Sequence, residues 1–180
     1  MKFYTGDLHF GHPGVLDFDN RPFKSLDEME DVMIRNWNAR VEKNDHVYIL
    51  GDFAYRNEKP FSHYLKQLNG NKHLIIGNHD GRLLKDSEAM SYFIEAYRYC
   101  EITDEQKHII LSHFPIAEWN GYYRQAYHIH GHIHGRTDVT YHFMKQFDRV
   151  LNAGCMINNF MPVTFNELII NNQRFKELNP

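Results

Sequence analysis

The chain predicts an α/β (α+β) fold in which two packed β-sheets carry helices on their outer faces. Short apolar runs alternate with amphipathic stretches through the first half of the sequence. The second half holds more strand-like runs than helical ones, which calls for a second sheet. Most of the apolar runs also stop at a polar residue or a glycine that begins a cluster of Asp, Asn or His. Open α/β sheets build their sites at the carboxyl ends of strands in this way.

In chain order, Lys2–Thr5 reads as a strand that leads into Asp7. Ser25-Leu26-Asp27-Glu28 is a capping-box signature, and Leu26, Met29, Met33, Trp37 and Val41 follow at helical spacing. His46–Leu50 is the next strand and ends at Gly51-Asp52. Phe61–Leu68 predicts a short helix stopped near Gly70, and His73–Ile76 a strand ending at Gly77-Asn78-His79-Asp80. Leu83–Tyr97 predicts a helix with Leu84, Ala89, Phe93 and Ala96 inward. Arg98–Ile102 and Lys107–Leu111 flank Thr103-Asp104-Glu105-Gln106, a hairpin turn. The second of these strands ends at Ser112-His113, and Tyr127–His130 ends at Gly131-His132. A strand near Phe147–Leu151 and a helix over Phe165–Asn171 complete the reading.

A length of 180 residues predicts one domain spanning residues 1–180, long enough to bury a sizeable core. Hydrophobic residues make up 42% and aromatic residues 14%, which excludes a disordered chain. The net charge of −3 argues against a generic nucleic-acid coat, which needs a basic face. A small anionic substrate stays open, because bound metals bring their own positive charge. Cys100 and Cys155 lack C-x-x-C spacing and are expected to be buried, reduced thiols. The N-terminus enters its first motif at once, so no signal peptide is expected, and no apolar run reaches membrane-span length. The expectation is a cytoplasmic protein.

Histidine is the compositional outlier, at 13 residues. His128, His130, His132 and His134 alternate at period two, so a strand would place all four on one face; Gly135 favours a loop for the last pair. Asp7-Leu8-His9 offers two ligands that a tight loop can aim at one metal, although D-x-H alone is a common accident. Asp52 reads either as a helix cap or as a carboxylate shared by two cations. In Gly77-Asn78-His79-Asp80 the Asn offers a neutral oxygen ligand; an Asx turn is the competing reading. Gly131-His132-Ile133-His134-Gly135 puts two imidazoles within range of neighbouring metals, between glycines that allow close backbone approach. His113 by itself is a lone His. Together these segments fit the ligand set of a two-metal site, a device for attacking phosphate esters with water.

The order D-x-H, G-D, G-N-H-[DE], H, G-H-x-H resembles the calcineurin-like metallophosphoesterase superfamily, in its small prokaryotic and phage-type form. Every element is present between Asp7 and Gly135, and Asn152-Ala153-Gly154-Cys155 and Pro162-Val163-Thr164 look like the closing segments of such members. The resemblance implies a four-layer αββα sandwich of two mixed sheets. It implies that Asp7, His9, Asp52 and His134 hold one divalent metal ion, and Asp52, Asn78, His113 and His132 a second. Asp52 would bridge them with a water or hydroxide that attacks phosphorus, and His79 would protonate the leaving oxygen. Asp80 would either hydrogen-bond His79 or shape the loop. Mn²⁺ is the favoured metal, with Fe²⁺, Zn²⁺, Co²⁺ and Ni²⁺ also compatible.

Protein phosphatases of the superfamily read G-D-x-V-D-R-G and R-G-N-H-E where this chain has Gly51-Asp52-Phe53-Ala54-Tyr55-Arg56-Asn57 and Ile76-Gly77-Asn78-His79-Asp80. Tyr55 replaces the Asp that orients the general acid, which counts against protein phosphatase activity. The expected substrate is a small phosphate ester, nucleotide-like and preferably a diester; a phosphomonoester and a non-catalytic metal-binding scaffold are the alternatives. Arg56 is either a phosphate clamp or a solvated arginine, and His12 either touches substrate or lies on the surface. Tyr123 and Arg124, with Trp119 and Tyr122, form an aromatic and basic loop that could grip a nucleotide or simply pack. Asn78 doubles as a substrate-binding candidate. Neither a membrane nor an extended nucleic acid is an expected partner, and oligomeric state is not legible.

Overall fold

The computed structural model describes Met1–Pro180, with eight strands in two four-stranded sheets. In the first, β1 (Lys2–Thr5), β2 (His46–Ile49), β3 (Asn71–Ile75) and β4 (Phe93–Tyr97) lie in sequence order and run parallel. In the second, β5 (Tyr99–Asp104) and β6 (Lys107–Ser112) are antiparallel, and β7 (Tyr127–His130) and β8 (Val150–Asn152) continue in parallel from β6. The helices are α1 (Val15–Phe18), α2 (Leu26–Asn38), α3 (Phe61–Leu65), α4 (Ser87–Met90), α5 (Val139–Met144) and α6 (Phe165–Leu178).

Alternation along the strands sorts side chains into layers. Val47 and Ile49 of β2 face outward and join Met29, Met33 and Trp37 of α2 and Phe61 of α3 in one core. Tyr48 and Leu50 face the other way and meet Ile109, Leu111, Ile129 and Leu151 of the second sheet. On that sheet's far side Ile110 and Val150 pack with Trp119 and with Met144 of α5. The outcome is helix, sheet, sheet, helix. The two sheets meet where Gly6 bridges Gly154, just past the ends of β1 and β8, and Tyr4 bridges Val163.

Local chemistry sets the ends. Ser25 caps α2 by accepting from the Glu28 amide, and Asp138 caps α5 by accepting from Thr140 and Tyr141. The β5–β6 turn is closed by Asp104 opposite Lys107, with Glu105 and Gln106 both at positive φ, as a two-residue hairpin loop requires.

Three expectations need correction. The helix over Leu83–Tyr97 is absent: a 3₁₀ turn at Leu83–Lys85 is followed by one turn of α4, capped by Asp86, and then by β4. Ala89 and Phe93 are buried as their spacing suggested. The aromatic and β-branched run Tyr92-Phe93-Ile94, however, completes the open edge of β3 as a strand. α3 stops at Leu65, and Lys72 Nζ reaches back to the carbonyls of Leu68 and Gly70. Both cysteines are free and Cys155 is buried, but Cys100, on the edge strand β5, is only half-buried. No helix is long and apolar enough to cross a membrane.

α6 begins with a complete capping box: Thr164 accepts from the Glu167 amide, and Glu167 accepts from the Thr164 amide at 2.8 Å. Thr164→Ala is expected to lower stability by about 1 kcal/mol, read as a lower urea midpoint at unchanged slope.

Candidate metal centre

Five loops, after β1, β2, β3, β6 and β7, converge at the seam between the sheets. The first two run side by side: the amides of Asp7, His9 and Phe10 donate to the carbonyls of Gly51, Asp52 and Phe53, each at 3.0 Å. The fourth and fifth are tied by the Gly131 amide to the His113 carbonyl at 3.0 Å. Asp7, His9, Asp52, His132 and His134 all have φ between 52° and 69°. Asp and His tolerate this left-handed region better than most residues, yet each still costs on the order of 1 kcal/mol. Gly51 is also left-handed (φ 84°), and a Cβ there would collide with the His113 ring.

Two groups of donor atoms result. Asp7, His9, Asp52 and His134 bring one side-chain atom each to within 4.8 Å of one another. His9 Nε2 lies 3.3 Å from His134 Nε2 and 3.6 Å from Asp52 Oδ2. Beside them, Asn78 Oδ1 lies 2.9 Å from His113 Nε2 and 3.0 Å from His132 Nδ1. His113 Nε2 is 3.5 Å from Asp52 Oδ2, so the Asp52 carboxylate stands between the groups.

The tautomers reveal what these atoms face. His113 donates its Nδ1 proton to the Leu50 carbonyl at 2.7 Å, and His134 donates its own to Asp19 Oδ2 at 2.8 Å. In the neutral form of either ring, the form a cation binds, Nε2 is then left as a lone pair. His113 therefore turns an acceptor toward Asn78 Oδ1, itself an acceptor, at hydrogen-bond distance. Burial and the neighbouring His134 and Arg21 hold His9 far below the usual imidazole range, and burial with His113 pushes His132 down to about 4. Asp7 is buried, and its Oδ2 has no partner. Nitrogen and oxygen atoms converging at this spacing, one buried carboxylate oxygen among them unpartnered, fit cations, and imidazoles in their neutral form with carboxylates are the states that bind them. Seven residues could thus hold two divalent ions, with Asp52 shared.

The supporting residues carry no signal in the sequence. Burial alone would raise the Asp19 carboxyl, but the hydrogen bond and charge of His134, with Arg21, hold it below the usual range. Arg21 is buried; it pairs with Asp19 at 3.0 Å and donates to the carbonyls of Leu8 (2.8 Å) and Asp7 (2.7 Å). Asn152 donates to the His134 carbonyl and accepts from the Gly154 amide. The Asp19–His134 contact joins positions 115 apart in the chain, which no local pattern announces.

Of the two roles open to Asp80, the structure shows the second. Its buried carboxylate accepts from the amides of Asp52, Phe53 and Gly77, which clamps two loops and leaves no hydrogen bond to His79. In this geometry the Asp80 carboxylate touches backbone amides and does not line the cleft. The His79 amide donates to Asp52 Oδ1, and its ring packs on Tyr55 with centroids 4.1 Å apart. His79, Asn78, His12 and Arg56 line an open cleft of about 420 Å³ over the donor groups, joined by Arg136 and the exposed ring of Phe18. Tyr123 and Arg124 do not join it. They sit in a 3₁₀ turn (Tyr122–Arg124) that precedes β7, whereas the site lies beyond that strand's far end. Tyr122 and Trp119 there pack with Phe147.

Sequence comparison agrees with this geometry. The model of the calcineurin-like phosphoesterase family matches residues 3–155. An uncharacterized protein of Methanocaldococcus jannaschii is 29% identical over 169 residues, covering 93% of this chain and 88% of its own. The gene 66 protein of Mycobacterium phage D29 is 30% identical over 159 residues, covering 74% and 78%. The crystal structure of a protein of unknown function from Aquifex aeolicus superposes with a TM-score of 0.72 at 27% identity, covering 93% of this chain and 96% of that one. The chain belongs to the calcineurin-like phosphoesterases, a family of binuclear metal-dependent hydrolases of phosphoester bonds.

Asp19→Ala removes the partner that fixes the His134 ring. Metal affinity is expected to fall by about 10–100-fold, measured by competition with a chromogenic chelator, while the circular dichroism spectrum is retained.

Proposed function

We propose that the chain is a phosphodiesterase acting on a small, nucleotide-like ester, with two divalent cations held by Asp7, His9, Asp52 and His134 and by Asp52, Asn78, His113 and His132. The observation that carries this reading is the pair of facing acceptor clusters around Asp52, with His79 left outside both. Cations bound there supply Lewis acidity toward the phosphoryl oxygens and make water more acidic. The residues of the chain do the rest. His79 stands over the cleft unclaimed by the donor set, where it can give its proton to the departing ester oxygen as water attacks phosphorus. Tyr55, in the position where protein phosphatases carry an Asp, supports the His79 ring by packing. Arg56 and His12 face the same cleft and bind the substrate's anionic oxygens.

A diester is favoured because open space lies on both sides of His79. The cleft over the donor groups and a neighbouring recess of about 410 Å³ share Tyr55, Arg56, Asn78 and His79. An ester with two substituents can place one in each. The exposed ring of Phe18 lines the first, and that of Phe114 packs 4.4 Å from His132; both offer faces to a base. Nitrogen and oxygen donors in this mixture suit Mn²⁺, and also Fe²⁺, Zn²⁺, Co²⁺ or Ni²⁺.

With Mn²⁺ restored to chelator-stripped protein, bis-p-nitrophenyl phosphate is expected to turn over faster than p-nitrophenyl phosphate; the reverse order would make it a monoesterase. On a diester with an alkoxide leaving group, His79→Ala should lower kcat by about 10²–10⁴-fold and leave metal content near normal. Asp52→Asn should lose both metal and activity. A fully active His79→Ala enzyme would show the general-acid assignment to be wrong.

A further inference from the structure

The recess beyond His79 differs in charge from the rest of the cleft surroundings. None of its 10 lining residues is Asp or Glu, while Arg56, Arg82 and Lys85 all face it. None of these three cations forms an ion pair anywhere in the structure. The guanidinium of Arg56 lies 5.2 Å from the Tyr55 ring centre, and that of Arg82 lies 6.0 Å from the Phe61 ring centre. Each is propped on an aromatic surface with its donors unspent. A hollow on the other side of Arg56 is the natural control: Asp27, Glu30 and Glu58 line it, and its Lys59 is already paired with Asp27 and Glu30.

The local backbone fixes this arrangement. Arg82 and Lys85 are three apart across the 3₁₀ turn at Leu83–Lys85, with the Lys85 amide bonded to the Arg82 carbonyl. Residues at that spacing lie on the same side of such a turn. Leu83, between them, is buried in the core under α2 and α3 and anchors it.

We propose that this recess binds a second phosphate carried by the leaving group of the substrate, held by Arg82 and Lys85 together with Arg56. The inference rests on the phosphodiesterase reading and on His79 as the proton donor. His79 lines both the cleft and the recess, so the oxygen it protonates lies at their junction. The part of the substrate that departs with that oxygen extends into the recess. Three unpaired cations in a recess that no carboxylate lines select a phosphate, which guanidinium groups can engage through paired hydrogen bonds.

The test compares Mn²⁺-loaded wild type with the Arg82→Gln/Lys85→Gln double variant on three dithymidine diesters: TpT, pTpT and TpTp. Chromatography of the products shows scission of the internal diester and which nucleoside leaves. Bis-p-nitrophenyl phosphate is run in parallel. For wild type, kcat/KM on the isomer whose extra phosphate sits on the departing nucleoside should exceed that on TpT by at least about tenfold, the worth of one charge-assisted contact. That ratio should collapse toward one in the double variant, chiefly through KM. Equal rates on all three dinucleotides, a preference that survives the double substitution, or cleavage of bis-p-nitrophenyl phosphate alone would overturn the recess assignment and leave the phosphodiesterase reading standing. No cleavage of any of the four by metal-loaded wild type would overturn both.

Discussion

Acceptor atoms that face one another around Asp52 impose the main demand on this structure. Imidazole nitrogens, carboxylate oxygens and an amide oxygen crowd within hydrogen-bond distance, and only two backbone amides, of His79 and His132, reach the carboxylates among them. Left to itself such a cluster repels. The fold holds it by fastening the backbone behind each ligand. Asp80 collects three amides from two loops, Arg21 ties down the carbonyls of Asp7 and Leu8, and Asn152 binds the loop that carries His134. Left-handed backbone at five donor positions adds further cost. Cations that bind the folded cluster and not the unfolded chain return stability by mass action, so metal occupancy and folding are linked.

Much of the candidate site's geometry was legible in the sequence because its donor residues follow strands closely. Lys2–Thr5 ends two residues before Asp7, and Tyr127–His130 ends two before His132. A strand's carboxyl end with its loop is a local object, and its residues appear as a short string. What lay beyond reading was made by contacts between distant segments. Asp19 and Arg21 follow a one-turn helix in a stretch without periodicity, and their importance arises only when His134 arrives from the other end of the chain. Leu83–Tyr97 shows the same limit in the fold. Its apolar spacing suited a helix, but the open edge of β3 offered strand pairing, and tertiary context decided. Tyr123 and Arg124 have suitable chemistry for a nucleotide, yet they enter β7 at the end away from the metals.

The environment of His79 connects the site to its substrate. Its backbone is fixed to Asp52 and its ring rests on Tyr55, so it is held by the same residues that build the metal cluster and the cleft wall. Space continues on both sides of it, with the exposed ring of Phe18 on one side and the unpaired cations of the 3₁₀ turn on the other. In the proposed reading, selectivity comes from the loops that follow β2 and β3, which also supply Asp52 and Asn78.

If the centre is as proposed, two cations belong among these facing acceptors. Calorimetric titration of chelator-stripped protein with Mn²⁺ tests it most directly, with thermal unfolding followed in parallel. Two equivalents bound per chain and a Tm that rises with metal are expected, and His113→Ala should keep only the site formed by Asp7, His9, Asp52 and His134. Binding of no metal, or a stoichiometry of one that His113→Ala leaves unaltered, would contradict it.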